Sequence, residues 1–175
     1  AAVAIGAGVV NVGADFDGRG FDRRDMVARF AALCARAADR GLKVALEIVP
    51  WSDVPDVATA LDFMEPANAG LVVDCWHVFR GGVPLSELSR ILPERILCVQ
   101  VSDAAAEPVG ALAEDTLRRR LCGDGAFDLA GFAALLDRAG VTAPYSVEII
   151  APEMAALPAG EAARRSIAAA RRVFG

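Results

Sequence analysis

Apolar positions along this chain fall into two rhythms that take turns. Short apolar runs occur at Val9 to Val12, "KVALEIV" (43–49), "GLVVD" (70–74), "RILCVQVSD" (95–103) and "YSVEII" (145–150). Between them, apolar residues recur at helical spacing, as with Met26, Phe30, Leu33 and Ala37 ahead of Gly41. The runs predict strands and the spaced segments predict helices over 23–40, 55–64, 84–92, 128–140 and 159–174. Pro55 suits a helix's first turn. "AAVAIGA" at the start reads as the tail of a helix, and residues 103 to about 125 as a long loop. Strand–helix alternation repeated five times predicts an α/β fold with a parallel sheet. No linker or composition break divides it, so residues 1–175 are expected to form a single domain.

Side chains alternate between the two faces of a strand. Val44, Leu46 and Ile48 share one face of their strand, Leu71 and Val73 of the next, then Leu97, Val99 and Val101, then Val147 and Ile149. That branched apolar face is the one expected to meet helices. The opposite face ends each time in a polar group: Glu47, Asp74, Gln100 and Glu148. An open doubly wound sheet is covered by helices on both faces and reads as apolar on both. A barrel keeps one face private and gathers polar groups at the C-terminal rim of its strands. The shared parity favours the barrel. His77, the single histidine, and Arg80 are then expected in a rim loop just after Asp74.

Composition narrows the partners. The chain is 55% hydrophobic and 23% charged, as a globular protein is. Eighteen basic against 23 acidic residues give a net charge of −5, with no basic tract, which argues against nucleic acid. No apolar run approaches the ~18 residues of a membrane helix, and no signal peptide is evident, so a cytoplasmic location is expected. Cys34, Cys75, Cys98 and Cys122 are widely spaced without a CxxC and are expected as free buried thiols.

Three carboxylates and an amide aimed at one spot repel unless a positive charge sits among them. A divalent cation is the simplest answer, and oxygen donors suit Mg²⁺ or Mn²⁺ better than Zn²⁺. His77 could donate a hydrogen bond to a substrate oxygen. Trp51 and Trp76 are either core or a flat wall for a sugar face. In "RRRLCGDG" (118–125), Arg119 and Arg120 are either a solvated charge run or anchors for an anionic or hydroxylated substrate; Arg80 lies on the same rim.

Taken together, "ALEIVPW", "GLVVDCWHVFRGG", "VQVSD", "RRLCGDGAFDLAGF" and "YSVEI" resemble the xylose-isomerase-like TIM barrels, the sugar phosphate isomerase/epimerase family. The resemblance implies a (β/α)8 barrel and makes Glu47, Asp74, Gln100 and Glu148 the ligands of a divalent metal, Mn or Mg first, with Co or Zn as lesser candidates. It implies that Glu47 and Glu148 are the acid/base pair and that His77 contacts a small sugar or polyol substrate. Gln100 stands where the family often has histidine, and "CGDG" where it usually has a "PGxG" turn. Against eight strands, this chain offers about the last five β/α units, so an N-terminally truncated barrel is expected, with exposed edges that invite homo-oligomer formation. The activity implied is isomerisation or epimerisation through an enediolate. The alternatives are dehydration of a cyclic polyol ketone or dehydroshikimate-like acid, and a truncated barrel without turnover. The family's DNA-repair endonucleases use many histidines, and this chain has one.

Overall fold

The computed structural model describes residues Ala1–Gly175. Its five strands, β1 (Val9–Val12), β2 (Lys43–Glu47), β3 (Ala69–Asp74), β4 (Ile96–Val101) and β5 (Tyr145–Val147), form one parallel sheet in chain order. The helices between them are α1 (Arg23–Ala38), α2 (Val57–Leu61), α3 (Cys75–Arg80), α4 (Leu112–Asp115) and α5 (Leu129–Ala139), with α6 (Pro152–Ala155) and α7 (Ala159–Phe174) after β5. A sheet that never reverses its strand order has no switch point, so it curls toward a barrel. The architecture is thus a parallel half-barrel of five β/α units. No helix is long and apolar enough to cross a membrane.

Local chemistry sets the helix limits. The Asp22 carboxylate accepts from the Asp25 amide at the start of α1, and Asp128 does the same for Gly131 at α5, satisfying amides that lack a partner inside the helix. Gly140 ends α5 in the left-handed region at φ 76°, which glycine enters without strain. The main core fills the helix side of the sheet. Val44, Leu46, Ile48, Leu71, Val73, Val99 and Val101 meet Phe30, Phe63, Phe132 and Leu136 there.

Several expected boundaries move. The opening segment is a single 3-10 turn, Val3–Ile5. The helix expected over 55–64 shortens to α2, capped by Asp56, and that over 84–92 is 3-10, Leu85–Arg90. The rim loop expected after Asp74 is a helix. β3 runs straight into α3, which carries His77 and ends with Arg80. β5 stops at Val147, so Glu148 lies one residue beyond it.

Leu97 also changes face. The β3–β4 register steps from Leu71↔Ile96 to Val72↔Cys98, which leaves Leu97 as an extra, bulged residue. It joins Ala45 and Val72 in a small second cluster on the inner face instead of the helix face. Gly70 makes this possible, because a Cβ there would run into the Leu97 side chain and the Arg95 carbonyl. Gly70→Ala is therefore expected to destabilise by roughly 1–3 kcal/mol through overpacking. Urea unfolding of the two proteins measures it; an unchanged midpoint would mean that the bulge yields freely.

Candidate metal centre

Asp74 belongs to two elements at once. It is the last residue of β3 and the N-cap of α3, where its Oδ1 accepts from the Trp76 amide at 2.9 Å. Its Oδ2 faces the inner side of the sheet. His77 comes one helical turn later, so its ring returns over the strand end. Nε2 lies 3.5 Å from Asp74 Oδ2 and 3.3 Å from Glu47 Oε1, at the end of β2. Ligand atoms of Glu47, Asp74 and His77 all lie within 4.8 Å of one another, a group able to hold a metal ion.

Gln100 is the register partner of Asp74 on β4. Its side-chain oxygen is buried and has no hydrogen-bond partner. A buried acceptor left alone is costly unless a ligand meets it. Glu148 continues the β5 ladder by donating its amide to the Val101 carbonyl at 3.1 Å. Its carboxylate meets Arg119, whose Nη1 sits 2.9 Å from Glu148 Oε2 and 2.7 Å from Asp74 Oδ2. Arg119 is fully buried. Its Nε and Nη2 each donate to Thr116 Oγ1 at 3.2 Å, and its guanidinium lies 5.2 Å above the Trp76 ring. Three carboxylates, Glu47, Asp74 and Glu148, thus gather near a single guanidinium, and the surplus of negative charge favours a further cation.

This placement sets the electrostatics of the groups around it. Burial pushes the Glu148 carboxyl above its ordinary range; the Arg119 guanidinium opposes the shift, and the Asp74 and Glu47 charges add to it. The Cys98 thiol, on the same inner face, is raised by burial and then by Glu47, Asp74 and Glu148.

The remaining expected residues divide. Trp51 stands edge-on to His77 at 5.3 Å and to Trp76 at 6.0 Å, walling one side of the cluster. Arg80 is buried against the segment that follows β4 and is not left open to a ligand. Its Nε donates to Asp115 Oδ2 at 2.7 Å and its Nη2 to the Ala105 carbonyl at 2.9 Å, with the side chain 5% exposed. Arg120 is exposed; its backbone pairs with Asp103 and its Nη1 reaches the Asp124 carbonyl at 3.3 Å, outside the cluster. Two organising residues lacked a sequence signal of their own. Asp115 is a buried acid that ends the short helix α4, inside the stretch the sequence reads as a long loop, where no periodicity marks it. Asp103, visible only as the end of an apolar run, accepts from the amides of Ala104, Gly123 and Phe127 and so shapes the loop that carries Arg119.

Residues 1–173 match the family described as xylose isomerase-like TIM barrel. An inosose isomerase of Halalkalibacterium halodurans is 32% identical over 145 residues, covering 80% of this chain and 51% of that protein. A 3-dehydroshikimate dehydratase of Pseudomonas aeruginosa is 32% identical over 130 residues, covering 72% of this chain and 20% of its own. The crystal structure of the IolI protein with a binding zinc atom superimposes with a TM-score of 0.85 at 24% identity, over 99% of this chain and 65% of that one; at that identity it speaks for the fold. The chain spans about half the length of the first of these relatives.

Proposed function

The chain belongs to the xylose isomerase-like TIM barrel family, and on that premise we propose that it carries the divalent-metal centre of an enzyme that isomerises or epimerises a polyol ketone or sugar by moving the proton alpha to the carbonyl. The observation that carries this reading is the convergence of Glu47, Asp74 and His77 within 4.8 Å, beside the unpartnered oxygen of Gln100, at the C-terminal end of the strands.

Glu47, Asp74 and His77 would hold the metal, with Gln100 and Glu148 as further oxygen donors. His77, expected as a substrate contact, turns its Nε2 to the two carboxylates and so groups with them. Carboxylate and amide oxygens favour Mg²⁺ or Mn²⁺, and the imidazole nitrogen admits Zn²⁺ or Co²⁺. When bound, such an ion polarises a substrate carbonyl as a Lewis acid. Glu47 and Glu148 approach from strands at opposite ends of the ligand set, so one can take the alpha proton while the other returns a proton to the same or the neighbouring carbon. The raised Glu148 carboxyl suits that exchange, since a base too weak at the working pH cannot accept a proton. Trp51 offers the apolar wall for the substrate's ring face.

Dehydration is the second reading, favoured by the dehydratase relative from Pseudomonas aeruginosa. The same alpha carbanion expels a β-hydroxyl there, and the new conjugated double bond absorbs in the ultraviolet. Incubating the chain with Mn²⁺ and an inosose in D₂O separates the two. Deuterium at the alpha carbon without loss of water supports isomerisation; neither deuterium nor ultraviolet-absorbing product across a panel of inososes and ketoses would overturn the catalytic reading. Independently of turnover, Mn²⁺ is expected to raise Tm, with stabilisation of about 2.7 kcal/mol at a hundred times Kd. No shift at millimolar Mg²⁺, Mn²⁺, Co²⁺ or Zn²⁺ would count against the centre.

A further inference from the structure

Arg119 is an unusual neighbour for a metal centre, because it puts a permanent positive charge on two of the oxygens a cation would use. Of the two Asp74 oxygens, Oδ1 is committed to the Trp76 amide. That leaves Oδ2, the atom 2.7 Å from Arg119 Nη1 and 3.5 Å from His77 Nε2. The same Nη1 holds Glu148 Oε2 at 2.9 Å. A dication on Asp74 Oδ2 and a guanidinium nitrogen on the same oxygen are like charges a few ångströms apart in a dry site, where repulsion is screened little.

We infer that Arg119 is a built-in counter-ion that competes with the divalent cation for Asp74 and Glu148, so that loading the cation turns the guanidinium off these carboxylates. The inference rests on the metal-centre reading above. Other contacts let the guanidinium turn without being stranded. Nε and Nη2 keep their bonds to Thr116 Oγ1, and the Trp76 face supports the planar group at 5.2 Å. Asp115, the residue before Thr116, is paired with Arg80 Nε at 2.7 Å. Because the coupling is an equilibrium quantity it is reciprocal: whatever loosens Arg119 tightens the cation.

The test uses the full chain, dialysed against chelator and titrated with Mg²⁺ by calorimetry and by fluorescence. The chain has two tryptophans, so Trp51→Phe leaves Trp76 as the reporter. Arg119→Met is expected to bind Mg²⁺ about tenfold tighter or more, within the usual range of such couplings. In the Arg119 protein, Mg²⁺ is expected to change Trp76 fluorescence as the guanidinium shifts on the ring; Arg119→Met should lose that change. The fluorescence separates displacement from repulsion at a distance, which alone would alter affinity. Should Arg119→Met not fold, Thr116→Val keeps the charge but frees the guanidinium, and a several-fold gain in affinity is expected. Unchanged affinity in both variants, with Mg²⁺ still bound, overturns the competition and leaves the centre standing. Absence of Mg²⁺ binding by every protein, Arg119→Met included, overturns both.

Discussion

Glu148→Gln is expected to lower deuterium exchange into a turned-over substrate by roughly 10²–10⁴-fold, the usual worth of a positioned acid or base. Glutamine keeps the side-chain length and one oxygen donor, so metal binding should survive in part, whereas an amide takes up no proton at working pH. The effect should fall mainly on the rate and little on KM, because the proton is in flight only in the transition state. Calorimetry with Mn²⁺ alongside the exchange assay distinguishes a lost base from a lost ion. Exchange at the original rate would remove Glu148 from the proton path. The same substitution should alter the pH dependence of stability. A carboxyl raised above its ordinary value of 4.5 in the fold binds its proton more tightly than in the unfolded chain, so its contribution to stability falls as pH rises from about there through the raised value. Glu148→Gln should flatten that slope.

Arg80→Ala should be among the most damaging changes to stability outside the hydrophobic core. The Arg80–Asp115 pair is dry on both sides, with side chains 5% and 3% exposed and an Nε···Oδ2 distance of 2.7 Å. Removing one member leaves the other as an unpaired buried charge, which typically costs about 3–5 kcal/mol. Two further losses add to it: the bonds to the Ala105 and Ala106 carbonyls, and the packing of the guanidinium over Trp76 and Phe127 at 5.8 and 5.1 Å. Replacing both members with apolar residues, Arg80→Met with Asp115→Leu, should recover most of the loss, since no charge is then stranded. Chemical denaturation of the single and double variants measures both numbers. A single-variant loss under about 1 kcal/mol would place the pair among exposed ion pairs in its effect.

Strand parity is a strict period of two, and it places Glu47, Asp74 and Gln100 on one face without any knowledge of contacts. The run of paired strands in chain order is legible from the same alternation. Parity fails at Leu97, because a bulge inserts one residue and nothing in "RILCVQ" announces it. Nor does parity reach past the end of a strand. Asp74 looks like the end of a run before a loop, whereas its carboxylate caps a helix and thereby carries His77 back over the site. Arg80, Arg119 and Arg120 look alike in sequence, since charge carries no mark of its partner. Their different fates depend on Asp115, Asp74, Glu148 and Asp124, which only the folded chain brings near.

The double attachment of Asp74 has a consequence for coordination number. A carboxylate whose Oδ1 already accepts from the Trp76 amide is oriented by that bond, which favours monodentate over bidentate binding. Turning it to offer both oxygens would uncap α3 and disturb His77 with it. Ca²⁺, which takes six to eight oxygens and favours bidentate carboxylates, finds such a wall poorly matched. Smaller octahedral ions, content with one oxygen from each donor, fit it. On the proposed metal reading, the junction that starts a helix would also favour the smaller ions.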